Sequence, residues 1–148
     1  MNTIYWFVFA PIAVALIYSI YIMGWLKKQP AGNEKMIALS RAIQEGSRAY
    51  LNRQSKTVGI VALVLFLAIG FIPSLGWTVA IGFLVGAVFS GLAGYIGMNV
   101  AVKNNAKTAE AATKGMGASL SLAFKAGSVT GFLVGALGLL AVAGFYLV

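Results

Sequence analysis

Four long runs of apolar residues dominate the chain, separated by one tight turn and two polar connections. A helix needs about 20 apolar residues to cross a bilayer, at about 1.5 Å of rise per residue. Residues 4–26 meet that length, with Tyr5 and Trp6 at one end and Trp25 at the other, where interfacial aromatics belong. No Lys or Arg precedes this run, and it is longer than the apolar part of a signal peptide, so it reads as a span. Pro11 is expected to kink or tighten its first turns. A second span is expected over about 57–72, ending at Pro73-Ser74-Leu75-Gly76, residue types that make a compact turn. Trp77 opens a third span that continues to about residue 102, and a fourth covers about 126–148. The predicted fold is all-α: a polytopic membrane protein with four transmembrane helices, forming a single membrane domain over 1–148.

The connection between the first two spans carries its own pattern. From Asn33 to about Arg53 it predicts an amphipathic helix, with Asn33 as N-cap and Glu34 in the first turn. Met36, Leu39, Ile43 and Tyr50 share one face, while Arg41, Glu45 and Arg48 lie towards another. Such a helix either lies on the headgroups or leads directly into the second span. Glu45 is spaced to pair with Arg41 or Arg48, each pair contributing about 0.3 kcal/mol. Arg41, Arg48 and Arg53 are a weaker candidate for an anion site. The second connection, 103–125, is rich in Ala. Thr108 is a candidate cap for a helix running on into the fourth span, with Gly115 and Gly117 weakening it by about 1 kcal/mol each. Lys125 opens the apolar run, where its stem can snorkel towards headgroups.

Charge fixes the expected orientation. The net charge of the 148 residues is +8, yet only 9% are charged and 60% are hydrophobic. That balance points to a bilayer as solvent, with no nucleic acid as partner. Lys27, Lys28, Lys35, Arg41, Arg48, Arg53 and Lys56 lie in the first connection; Lys103, Lys107, Lys114 and Lys125 lie in the second. The 73–76 turn and both ends of the chain have none. The positive-inside rule therefore predicts cytoplasmic connections and non-cytoplasmic termini.

Small residues supply the candidate packing sites. Gly82, Gly86, Ser90 and Gly94 recur every four residues in the third span, as do Gly127, Gly131 and Gly135 in the fourth, with Gly138 beyond. Stripes of this kind let another helix approach closely, within this chain or outside it.

Candidate chemistry is sparse. The chain has no Cys, no His and no Asp, and its three carboxylates are Glu34, Glu45 and Glu110, none inside a span. An ion path normally uses an intramembrane carboxylate or converging polar oxygens, and phosphate hydrolysis needs carboxylates to hold divalent metal. No P-loop, nucleophile elbow or zinc signature is present. No catalytic, cofactor-binding or metal-binding residue can be assigned.

The order of residues adds what composition does not. Gly94-Tyr95-Ile96-Gly97-Met98 leads into a basic, Ala-rich connection, and Ala123-Phe124-Lys125-Ala126-Gly127-Ser128-Val129-Thr130-Gly131-Phe132-Leu133 opens the fourth span. With Ala42-Ile43-Gln44-Glu45-Gly46-Ser47-Arg48-Ala49-Tyr50-Leu51 and Gln54 ahead of the second span, this sequence resembles the membrane-bound inorganic pyrophosphatases. Lys125 stands where that family commonly has Arg, which puts a bidentate contact there in doubt. The resemblance implies a homodimeric pump with about sixteen helices per subunit. Such a pump hydrolyses pyrophosphate with Mg²⁺, in some members with K⁺, and moves H⁺ or Na⁺ outwards. It implies that this chain is the first four helices, in the outer ring, and that it lacks the active site and is inert alone. The remaining helices of the pump would then be its partners, together with the lipid bilayer. Two other readings stay open from the residues: a four-helix transporter working as an oligomer, and a non-catalytic scaffold held through the Gly stripes.

Overall fold

The computed structural model describes the backbone of residues 2–147 and the side chains of 5–147. Val148, the expected end of the fourth span, lies outside the described residues. Four helices account for almost all of the rest: α1 (Asn2–Lys27), α2 (Glu34–Phe71), α3 (Gly76–Thr113) and α4 (Met116–Tyr146). All four are long and apolar enough to cross a membrane.

The helices run well past the apolar stretches that mark the spans. The charged stretch that follows Asn33 and the second apolar run form one continuous helix of 38 residues. Its start is as expected: Asn33 is the N-cap, and its side chain accepts a bond of 3.0 Å from the Met36 amide. α3 likewise continues to Thr113, not stopping near residue 102. Thr108 caps nothing; its hydroxyl donates to the Asn104 carbonyl one turn back, at 3.0 Å inside α3. Ala101, Ala106, Ala109, Ala111 and Ala112 explain the difference, because Ala sustains a helix after apolarity has ended. The break falls instead at Lys114-Gly115, where Gly115 adopts φ +119°, and α4 starts ten residues before Ala126. α1 is helical through Pro11.

The compact turn sits where the sequence places it. The Leu75 and Gly76 amides both donate to the Ile72 carbonyl at 3.1 Å, and Gly76 takes φ +74°. Trp77 folds back against α2, edge-on to Phe66 and Phe71 at 5.8 and 5.4 Å. Gly70 makes room for it: a β-carbon there would sit 2.7 Å from the indole.

In space the helices stand in the order α1–α4–α3–α2. α4 is the inner element, packed on both α1 and α3, while α2 touches the array through α3. The core is centred between α1 and α4, on Ile22, Leu26, Leu122, Ala126, Val129 and Leu133, with Ile96 and Val100 of α3 packed against it. Tyr18 bridges the same seam, edge-on to Phe132 at 4.8 Å and 3.4 Å from the Ser128 hydroxyl. Much of the remaining apolar surface is open, as lipid or neighbouring helices require. Between α2 and α3 it forms a groove of about 760 Å³, lined among others by Tyr50, Leu63, Leu84 and Met98.

Candidate functional site

The charged half of α2, the extension of α3, the end of α1 and the start of α4 meet at one end of the array. At about 1.5 Å per residue, residues 34–56 carry α2 roughly 35 Å beyond its apolar run, and 103–113 carry α3 about 16 Å. Lys107 ties α3 to the end of α1 there. Its ammonium donates to the Leu26 carbonyl at 2.6 Å, which also accepts from the Gln29 amide at 3.2 Å, and to the Lys27 carbonyl at 3.3 Å, placing a cation at the C-terminal end of α1. Gly32, at φ +86°, lets the α1–α2 connection pass close to Met36 and Glu110. Ser119 of α4 donates to the Thr108 carbonyl at 3.1 Å, holding the two sides of the Gly115 break together.

Two clefts open at this end. One, of about 220 Å³ between α2 and α3, is lined by Arg41, Gln44, Glu45, Ser47, Arg48, Asn99, Val102 and Lys103. Of the arginines considered for an anion site, Arg41 and Arg48 thus share a cleft, whereas Arg53 lies outside it; Lys103, from the other connection, takes its place. Glu45 lines the same cleft as these cations. The second cleft, of about 240 Å³, lies between α1, α3 and α4 and includes Lys107, Lys114 and Lys125. Lys125 stands 4.1 Å over the Trp25 ring, so its charge is held at an aromatic face where the side chain enters the apolar zone. Below these clefts Asn104 is buried; its amide donates to the Val100 carbonyl at 2.7 Å, while its Oδ1 has no partner.

The seven small residues divide sharply by environment. Gly82 lies against α4, where an added β-carbon would come 2.8 Å from the Phe145 ring. Around Gly86, Gly94, Gly127, Gly131 and Gly135 no described side chain beyond the immediate chain neighbours lies within 4 Å of such a carbon, and Ser90 is exposed. On α4 the stripe turns away from Ala126, Val129 and Leu133, which fill the core. The tightest helix approach is one that the four-residue spacing misses: Gly97 of α3, where a β-carbon would be 2.5 Å from Thr130 Cγ2. Gly97 and Thr130 both lie in the segments that carry the family resemblance, which is the one signal that singles them out.

No arrangement for hydrolysis emerges. Among the described residues no three of His, Cys, Asp and Glu come together so as to hold a metal ion. Glu34 is in the first turn of α2, Glu45 is among arginines, and Glu110 is beside Gly32. The described residues therefore do not fit the Mg²⁺ that the resemblance implies.

An all-α array of four helices long and apolar enough to cross a membrane, with its charged connections at one end, defines a polytopic membrane protein. The chain belongs to the inorganic H⁺ pyrophosphatase family, whose pattern matches residues 13–148. It is 41% identical over 140 residues to the K(+)-insensitive pyrophosphate-energized proton pump of Methanosarcina mazei, covering 93% of this chain and 21% of the relative. The pump of the same name from Pyrobaculum aerophilum is 41% identical over 138 residues, covering 90% and 19%. A protein of Bacteroides thetaiotaomicron, provisionally named a K(+)-stimulated pyrophosphate-energized sodium pump, is 37% identical over 151 residues, covering 99% and 20%. The chain thus spans about a fifth of the length of the curated relatives it matches.

Proposed function

We propose that this chain forms wall helices of a pyrophosphate-energised ion pump, coupling hydrolysis of inorganic pyrophosphate to outward transport of H⁺ or Na⁺ when the rest of the pump is present. The observation that carries the reading is the family match along 13–148 at up to 41% identity. The array supports a wall role in a second way. Its open glycine stripes and the α2–α3 groove are surfaces that further helices, or a second subunit of a homodimer, would cover. The pyrophosphate, its Mg²⁺ and any K⁺ would be bound by residues outside this chain. The charged end would face the cytoplasm, where pyrophosphate is met, with both termini of the chain on the other side. A self-sufficient four-helix transporter is less well supported, because no carboxylate lies within the apolar spans.

The test is Mg²⁺-dependent pyrophosphate hydrolysis by membranes containing this chain alone, beside membranes containing a full-length relative. Activity is expected only from the relative. Hydrolysis by membranes with the chain alone, above empty membranes, would overturn the wall role.

A further inference from the structure

The cleft between α1, α3 and α4 has a composition that the wall role does not use. Lys107, Lys114 and Lys125 line a space of about 240 Å³ with Ser121, Trp25 and Leu122, and no carboxylate lines it. Two of the three ammonium groups are fixed without being neutralised: Lys107 by the carbonyls at the end of α1, and Lys125 by the Trp25 ring. Three cations in one small cleft repel one another, and an anionic guest relieves that repulsion. The Arg41–Arg48–Lys103 cleft differs on this point, because Glu45 is built into it.

Position narrows the kind of anion. Trp25 marks the end of the apolar run of α1, and Lys125 immediately precedes that of α4. The cleft therefore lies at the boundary between apolar and charged zones, with Trp25 and Leu122 lining it beside the three cations and the Lys125 ammonium over the Trp25 ring. A soluble anion has no use for the apolar side, whereas a phospholipid meets both. We propose that this cleft is a binding site for the phosphodiester headgroup of an anionic phospholipid, with Lys114, Lys125 and Ser121 serving the phosphate and Trp25 and Leu122 the glycerol and first acyl carbons. Basic pockets between transmembrane helices are suited to such headgroups.

Native mass spectrometry of the chain in detergent, titrated with phosphatidylglycerol or phosphatidylcholine of matched acyl chains, tests the site. The wild type is expected to prefer phosphatidylglycerol at least about tenfold, and Lys114→Gln/Lys125→Gln to lose about thirtyfold of that affinity, given the weight of two lysines near an anionic headgroup. Because Lys125 also packs on Trp25, Lys114→Gln alone provides a second reading, with an expected loss of about fivefold. Arg41→Gln/Lys103→Gln removes the same charge from the other cleft and should leave binding unchanged. An equal loss in that control, or full binding by both cleft variants, would refute the site. Displacement of phosphatidylglycerol by millimolar inorganic phosphate or pyrophosphate would assign the cleft to a soluble phosphate and overturn the lipid. Failure of these salts to compete supports it.

Discussion

The close approach at Gly97 yields a prediction whose sign can be worked out. A β-carbon at this position would lie 2.5 Å from Thr130 Cγ2, 2.8 Å from its Oγ1 and 3.1 Å from its Cβ. Rotating the threonine exchanges one crowded atom for another, and its Cβ cannot move without the backbone of α4. Gly97→Ala therefore pushes α3 and α4 apart, at the cost typical of overpacking, about 1–3 kcal/mol. Against this stands the better helix propensity of Ala, about 1 kcal/mol in water. Gly94→Ala, on the same helix with open space around it, carries the propensity gain without the clash. The difference between the two variants cancels propensity and isolates the contact: Gly97→Ala should be less stable than Gly94→Ala by about 1–3 kcal/mol, or about 5- to 150-fold in the unfolding equilibrium. Unfolding in mixed micelles of rising denaturing-detergent fraction, followed by tryptophan fluorescence, measures it. Thr130→Ala in the Gly97→Ala background should recover most of the loss, a coupling that a double-mutant cycle reads directly. Equal stability of the two alanine variants, with no coupling to Thr130, would refute the close approach of α3 and α4.

Three further outcomes follow from other parts of the array. Gly115→Ala forces a side chain onto φ +119°, and should cost about 1–3 kcal/mol in the same unfolding assay. Lys107→Met removes the donor to the Leu26 and Lys27 carbonyls; because the side chain is only partly buried, a loss of about 1 kcal/mol is expected, seen as faster amide exchange in the last turn of α1. Since the chain has no cysteine, single variants report sidedness cleanly. Ser74→Cys in intact cells should react with an impermeant maleimide, and Lys114→Cys should react only after lysis; the reverse pattern would invert the proposed orientation.

What the sequence disclosed, and what it withheld, divides along physical lines. The spans, the Asn33 cap and the 73–76 turn were legible because each depends on local residue types: apolar length, a side-chain acceptor, a Pro-to-Gly turn. The length of α3 was not, because apolarity ends at Lys103 while the alanines beyond it continue the helix. The order α1–α4–α3–α2 was also hidden. A span that is apolar on every side carries no stripe to say which face meets a neighbour, and contact is decided by shape at single residues such as Gly97 and Thr130. The clefts at the charged end illustrate the same point. Arg41 and Lys103 are 62 positions apart, and only the pairing of α2 with α3 brings them to one wall.

The place of α1 in that order has a consequence for biogenesis. Its main packing partner is α4, so between synthesis of Lys27 and of Met116 the first helix lacks most of its docking surface, and α3 offers it little beyond the Lys107 contact and the edge of the shared core. At about 5–20 residues per second that interval is roughly 5–20 s. During it α2 and α3 are free to close as a hairpin through the 73–76 turn, while α1 waits in the lipid, tethered by a six-residue connection. An insertion chaperone that shields unpaired helices would therefore be expected to hold α1 longest, and to release it only as α4 emerges.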